Sequence, residues 1–240
     1  MLDLTKIQSK RRKWQPSNPA PNSETSGATI TISKCLSLTN LEPVVAKFIS
    51  DGLSKYDVSK LSPGLIEQLE TNITDEDNHE IALTQCKAAM KDYDSRYEAE
   101  VPDICQRWLD LPDCPIVSAA VLENSVFFCI LPIYSIAGGI SLRQTSQSIS
   151  GDERIHVATH REASMLLGAR PSKQLNRLRL DTVEWLFNNV SELGKAWTLD
   201  RMINNSNSLL AKGISDMIET QIASVSAPFE QNNNVIEGYA

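Results

Sequence analysis

Two of the three histidines in this chain end the same four-residue pattern, Glu-x-x-His. The first copy joins Glu76 to His79, and the second joins Glu153 to His156. Because residues three apart lie on one face of an α-helix, each copy would point a carboxylate and an imidazole in the same direction. Two such helices that face each other, with one carboxylate from each of two more helices, form a site for two metal ions. The doubled pattern therefore predicts a dinuclear metal site.

Such a site needs two further carboxylates, and the spacing of the chain offers candidates. Glu123 lies 30 residues before Glu153, which leaves room for one helix and its return. Its neighbours are apolar, so an unpaired carboxylate would be costly there. Glu42 lies 34 residues before Glu76 and suits a second pair of helices, although it stands beside a proline at a helix start. Asp51 is the alternative to Glu42, and the sequence alone leaves this choice open.

Two aspartates and the third histidine stand close to the predicted ligands. Asp75 and Asp152 immediately precede the two motif glutamates. A metal-bound imidazole usually donates the N–H of its other ring nitrogen to a carboxylate, so we expect Asp152 to contact His79 across the bundle. By the same reasoning Asp75 would contact His156, and an ordinary surface position is the alternative for both aspartates. His160 follows His156 by one helical turn, and it either lines the site or is a histidine of the core.

Apolar residues recur at helical spacing along most of the chain, between turn signals formed by proline and glycine. The pattern predicts an all-α protein, with a bundle of four core helices and two additional C-terminal helices. The core helices are predicted at 40–55, 62–90, 115–137 and 140–168, and the additional helices at 172–193 and 198–222. A short extended segment is predicted at 29–33, and a connection with a short helix at 92–112. Residues 1–28 are predicted to be a flexible polar arm, 29–223 the bundle, and 224–240 a C-terminal tail.

The composition limits the possible functions. With a net charge of −7 and an isoelectric point of about 5.1, the chain is not expected to bind nucleic acid. Its one basic run, Lys10–Lys13, is interpreted as part of the solvated arm. The apolar stretch Ala119–Ile140 contains a glutamate and a proline and is predicted to be a buried core helix rather than a membrane span. Five scattered cysteines and the lack of a signal peptide predict reduced thiols and a cytoplasmic location.

With these residues placed, the chain resembles the ribonucleotide reductase small-subunit superfamily of ferritin-like proteins, which has acyl-carrier-protein desaturases and arylamine N-oxygenases as neighbours. The resemblance covers residues 40–235. Leu122-Glu123, followed one turn later by Phe127, is similar to the third-helix ligand segment of the small subunits, and Asp152-Glu153-x-x-His156 is similar to their fourth-helix motif. Ser224–Val235 resembles the segment after their last helix, and Trp14-Gln15-Pro16 resembles a Trp-x-Pro in their N-terminal arm. The resemblance implies a ferritin-like four-helix bundle with Phe127 beside the metal ligands.

The chain also departs from that family. In small subunits that store a tyrosyl radical, a tyrosine stands one turn after the histidine of the first motif, whereas this chain has Leu83 there. The chain ends where those proteins continue into the tail that docks the large subunit. We therefore expect neither a tyrosyl radical at that position nor a standard reductase partner.

The residues and the resemblance together predict an O2-activating non-haem di-iron oxidase or oxygenase that acts on a small or carrier-bound organic substrate. The predicted cofactor is two iron ions, with manganese or a mixed Mn/Fe pair as the alternative. O2, an external electron donor and a second copy of the chain are the expected partners. Two alternatives stay open: a divergent reductase small subunit that generates a radical without the usual tyrosine, and a non-enzymatic iron-binding or structural protein. The predicted metal ligands are Glu42, Glu76, His79, Glu123, Glu153 and His156.

Overall fold

The computed structural model describes residues 3–188, 191–195 and 197–214. Within these ranges the chain is helical and contains no β-strand, and its only extended pairing is an isolated bridge between Glu24 and Met90. The predicted all-α class is therefore confirmed. The predicted tail, 224–240, lies outside the described residues, and so does the end of the last predicted helix.

The described residues form a series of helices. The helix bounds are α1 (Leu4–Lys10), α2 (Thr29–Ser37), α3 (Glu42–Lys55), α4 (Pro63–Ala89), α5 (Val101–Leu109), α6 (Pro115–Leu122), α7 (Phe128–Ala137), α8 (Ile140–Leu167), α9 (Lys173–Phe187) and α10 (Leu199–Ile214). Turns of 3₁₀-helix at Leu38–Leu41, Val58–Lys60 and Ser95–Glu100 precede α3, α4 and α5. The predicted core helices agree with α3, α4, α6 together with α7, and α8 to within a few residues.

The core helices pack side by side around one buried interior. α3 contacts α4 and α6, α4 contacts α8, and α8 contacts both α6 and α7. On the outside, α9 packs against α6, and α10 packs against α7. Each of these helices has an apolar face, and packing the helices into a bundle buries all of these faces in one core.

Local signals set the ends of the two longest helices. Ser62 precedes α4, and its hydroxyl accepts a hydrogen bond from the Leu65 N–H at 3.3 Å. Pro63, the first residue of α4, has no N–H to leave unpaired. Gly168 ends α8 with φ of 66°, a left-handed conformation that glycine adopts without strain. These ends place both Glu-x-x-His motifs near the middle of their helices, where the backbone is held on both sides.

The most apolar part of the chain, Pro115–Ala137, lies at the centre of the bundle. It is long and apolar enough to cross a membrane, but 94% of its most apolar window is buried inside the protein. Such burial is typical of the core helix of a bundle. A π-helical turn, Glu123–Phe127, interrupts it between α6 and α7. Wider turns of this kind are rare and occur frequently at functional sites, and the sequence analysis did not predict this one.

Residues 29–33 form the first part of α2, where the sequence predicted an extended segment. Ile32 and Leu36, one turn apart, are fully buried. The Glu192 carboxylate accepts a hydrogen bond from the Thr31 N–H at 2.9 Å and so satisfies one free donor at the start of the helix. Because β-branched residues lower helix propensity only slightly, burial and this hydrogen bond decide the conformation.

Two side chains of the N-terminal arm, which the sequence predicted to be flexible and solvated, contact α4 and α8. Arg11 forms an ion pair with Asp75 of α4, and the Trp14 indole N–H donates a hydrogen bond to Asp152 of α8 at 2.6 Å. The other members of the basic run, Lys10, Arg12 and Lys13, are exposed. The two acidic partners on the bundle explain why this part of the arm packs.

Candidate metal centre

The six side chains that the sequence predicted as metal ligands lie together in the middle of the bundle. One carboxylate comes from the first residue of α3 and one from the first residue of the π-helical turn, while α4 and α8 each supply a Glu-x-x-His pair. All six residues are at most 2% exposed, so water does not solvate them. They are Glu42, Glu76, His79, Glu123, Glu153 and His156.

The ligand atoms form two overlapping groups, within each of which they lie no more than 4.8 Å from one another. Each group combines carboxylate oxygens with one imidazole, and Glu76 belongs to both. The first group, here named the His79 position, consists of Glu42, Glu76, His79 and Glu153. The second, here named the His156 position, consists of Glu76, Glu123 and His156. This buried cluster could hold metal ions.

Two glutamates span the pair of histidines. Glu76 places Oε1 2.8 Å from His156 Nδ1 and Oε2 3.5 Å from His79 Nδ1. Glu153 places Oε1 3.4 Å from His79 Nδ1 and Oε2 3.9 Å from His156 Nδ1. Glu76 therefore offers one oxygen to each position, which is the arrangement that a bridging ligand requires, and Glu153 extends from the His79 position towards His156.

Most of the inner atoms of this cluster have no hydrogen-bond partner. Both oxygens of Glu76 and of Glu153 lack one, as do one oxygen each of Glu42 and Glu123 and Nδ1 of both histidines. The atoms are close, but they are not aligned as hydrogen bonds. Leaving so many buried polar atoms unpaired would be costly, and metal ions would satisfy them all. Carboxylate oxygens with imidazole nitrogens suit iron or manganese, so the residues present fit a dinuclear centre of these metals.

An aspartate lies behind each histidine. Asp152 Oδ2 is 3.3 Å from His79 Nε2, and Asp75 Oδ2 is 3.1 Å from His156 Nε2. Both of the contacts that the sequence suggested across the bundle are thus present. A carboxylate at Nε2 keeps the proton on that nitrogen and leaves the lone pair on Nδ1, the atom that faces the cluster.

The N-terminal arm supplies a further partner to each of these aspartates. Arg11 pairs with Asp75, and Trp14 donates to Asp152. The Trp14 and His79 rings also stack, with centroids 6.1 Å apart. Arg11 was not predicted to lie near the site, although its position in the only basic run of the sequence was a signal.

His160 and Phe127 both lie beside Glu123. His160 Nδ1 is 2.6 Å from Glu123 Oε2, while Glu123 Oε1 points to the cluster, 3.4 Å from His156 Nδ1. His160 thus holds one oxygen of Glu123 and leaves the other for a metal. Phe127, at the other end of the π-helical turn that begins at Glu123, is buried and lines a cavity together with Glu42. The sequence analysis also missed Asn72, 3.4 Å from His160 Nε2, although it stands one turn before Glu76 on the same face of α4.

The structure separates the two candidates for the fourth carboxylate. Glu42 lies in the cluster, with Oε2 3.8 Å from His79 Nδ1. Asp51 lies on the solvent side of α3, where Lys47 and Lys55 are 3.0 and 3.1 Å from its Oδ2. The position of Glu42 at a helix start is not awkward, because the 3₁₀ turn Leu38–Leu41 runs directly into α3.

Burial and mutual charge shift the acidities of the cluster. Burial, followed by the charge of Glu123, raises the pKa of Glu153 to about 7, and burial raises the pKa of Glu42 well above its usual range. Burial alone would lower the pKa of His156, but the charge of Glu76 raises it to about 10. Around His79 burial is likewise outweighed, by Asp152 and the cluster glutamates, so that its pKa is also raised. Without metal, both imidazoles are therefore protonated near neutral pH.

Comparison of the chain with models of protein families, with curated proteins and with solved structures finds no match in any of the three. The resemblance to reductase small subunits therefore rests on the motifs quoted above. What carries the functional argument is the geometry of the buried cluster.

Substitution of the two competing carboxylates tests the ligand set. Glu42→Gln keeps the size of the side chain but removes its charge, so the His79 position is expected to bind metal much more weakly. Asp51→Asn changes only the solvent side of the same helix and is expected to keep the wild-type metal content. Elemental analysis after anaerobic loading with ferrous iron measures both. The assignment would be reversed if Asp51→Asn lost metal while Glu42→Gln kept it.

Metal binding should release protons. Ligands bind metal in their deprotonated form, and the raised pKa of both histidines means that both hold a proton that must leave. We expect release of at least two protons per chain near neutral pH, because Glu42 and Glu153, whose pKa is also raised, add to the two histidines, and a metal affinity that increases as the pH rises. Calorimetry of Mn²⁺ binding in buffers with different ionisation enthalpies measures the released protons. Binding without proton release, or weaker binding at higher pH, would contradict the protonation described above.

Proposed function

We propose that this protein is an O2-activating oxidase or oxygenase with a non-haem dinuclear metal centre, built on a ferritin-like four-helix bundle similar to that of ribonucleotide reductase small subunits. The observation that carries the proposal is the pair of buried glutamates, Glu76 and Glu153, whose oxygens each face a different histidine. Two neighbouring metal positions that share carboxylates are suited to redox reactions involving both ions.

Two bound metal ions would supply the redox chemistry of this centre, and the apolar residues beside them would limit which molecules reach it. When two iron or manganese ions are bound in their reduced state, they supply electrons that reduce O2 and produce a strong oxidant. Leu83, Phe127 and Ile130 line a small cavity beside Glu42. Its volume is about 10 Å³, roughly the room that one water molecule needs. O2 is only slightly larger than water and is apolar, so we expect the apolar lining of this cavity to admit O2 more easily than an organic molecule.

An organic substrate needs more room than this cavity offers. Under the oxygenase proposal, a small molecule or the arm of a carrier-bound group would enter by displacing the apolar side chains that line the cavity. An external donor would restore the reduced state after each turnover. The described residues do not select among substrates within this class.

A chain of contacts favours a second candidate, a radical-generating small subunit. The Trp14 indole donates to Asp152, and Asp152 contacts His79 at its outer nitrogen. An indole is readily oxidised, so this chain offers a route by which an electron could reach the cluster from the arm. The small cavity agrees with such a function, because the oxidising equivalent would leave by electron transfer and no organic molecule would need to enter.

Metal loading followed by exposure to O2 tests the first proposal. We expect about two metal ions per chain, by analogy with the two Glu-x-x-His pairs of carboxylate-bridged bundles, and rapid O2 uptake by the reduced, iron-loaded protein. Glu76→Gln should abolish both, because this residue belongs to both positions. Glu70→Gln, on the exposed side of α4, should change neither. Metal binding without O2 uptake would instead favour the non-enzymatic alternative, and a folded protein that bound no metal would contradict every version of the proposal.

Substitution of Trp14 separates the two candidates. If the protein generates a radical for transfer, rapid freezing after O2 addition should show a transient indole radical by electron paramagnetic resonance, and Trp14→Phe should remove it. Trp185→Phe is the control, because the Trp185 indole N–H donates a hydrogen bond to Glu100, which is not part of the cluster. If the wild type shows no indole radical, or the same signal persists in Trp14→Phe, the radical-generating candidate is excluded.

A further inference from the structure

The guanidinium of Arg11 connects the N-terminal arm to two side chains that lie behind the ligands of the His156 position. One nitrogen, Nη1, pairs with Asp75, whose Oδ2 is 3.1 Å from His156 Nε2. The other, Nη2, donates to Asn72 Oδ1 at 2.7 Å. The first branch therefore reaches a histidine of the cluster through one carboxylate.

The second branch reaches Glu123. Asn72 accepts from Arg11 with its oxygen, so its nitrogen is free to donate, and it lies 2.9 Å from Thr159 Oγ1 and 3.4 Å from His160 Nε2. A donor at Nε2 requires His160 to carry its proton on Nδ1, which lies 2.6 Å from Glu123 Oε2. Every donor in this branch therefore has an acceptor, and the orientation of Glu123 is tied to that of Arg11.

We propose that Arg11 is a positioning residue for the His156 position, and that docking of the arm and binding of metal at that position are coupled. The inference rests on the proposed metal centre. A guanidinium suits this role because its planar fork presents two donors in fixed directions, one to the carboxylate and one to the amide. Neither contact is with a metal ligand itself, so Arg11 acts through Asp75 and through Asn72 and His160.

The His79 position has no hydrogen bond from Arg11 behind it, although Arg11 and Asp152 attract each other through their charges. The carboxylate behind His79, Asp152, accepts a hydrogen bond from Trp14, and the ligands of this position come from α3, α4 and α8. Loss of the Arg11 contacts should therefore weaken one of the two metal positions much more than the other. A substitution that merely loosened the fold would weaken both, and this difference makes the proposal testable.

The test is calorimetric titration of the full chain with Mn²⁺, with the two binding phases assigned by Glu42→Gln and Glu123→Gln, each of which removes a ligand of one position only. Arg11→Gln should weaken binding at the His156 position by about tenfold or more, as is common when the outer partner of a metal ligand is removed, and leave the other phase close to wild type. Arg11→Lys should restore part of the affinity, since an ammonium keeps the charge but not the fork. Arg12→Gln, exposed in the same arm, is the matched control.

Coupling must also act in the reverse direction, because linkage between two binding events is reciprocal. Mn²⁺ should therefore protect the basic run Lys10–Lys13 from trypsin in the wild type, and protect it much less in Arg11→Gln. Equal weakening of both phases in Arg11→Gln, unchanged affinity at the His156 position, or cleavage at the same rate with and without Mn²⁺ would overturn the inference. The proposed metal centre would stand if the role of Arg11 failed in this way while the wild type still bound metal at two positions. A wild type that bound neither Mn²⁺ nor iron would overturn the metal centre and the role of Arg11 together.

Discussion

Four carboxylates and two imidazoles share the interior of a helical bundle, and the cost of keeping them there governs the structure around them. Transfer of a single ion from water into a protein interior costs several kcal/mol even after relaxation, and like charges at these separations repel. Without metal, the cluster lowers this cost by changing its protonation. The pKa of Glu42 and of Glu153 is raised, which favours their neutral form, and the pKa of both histidines is raised, which favours their cationic form. The inner oxygens and nitrogens still lack hydrogen-bond partners, and bound cations would remove this deficit.

The cluster residues stand at positions where the helical backbone is held firmly in place. The Glu-x-x-His pairs stand in the middle of α4 and α8, where hydrogen bonds on both sides hold the helix and fix the directions of the side chains. Glu42 and Glu123 stand where the helix changes its winding, after a 3₁₀ turn and at the start of a π-helical turn respectively. Glu42 and Glu123 each reach the cluster from such a change of winding, and the helix is not broken at either residue.

The arm gives the two metal positions different surroundings. Asp75 is paired with a cation, Arg11, whereas Asp152 accepts from a neutral indole, Trp14. The two positions are thus inequivalent even though the motifs that build them are nearly identical.

The sequence by itself determined what depends on short range. The i, i+3 spacing of Glu76 with His79 and of Glu153 with His156 has one geometric consequence in a helix, and the apolar periodicity with its proline and glycine signals located the core helices to within a few residues. Other features were decided only by tertiary structure: the choice of Glu42 over Asp51, the π-helical turn at Glu123, the helical conformation of 29–33, and the contacts of Arg11 and Trp14. The physical reason is the same in each case. These features depend on partners far away in the chain, such as the carboxylate of Asp152 for Trp14, and on which face of a helix is buried, neither of which local spacing specifies.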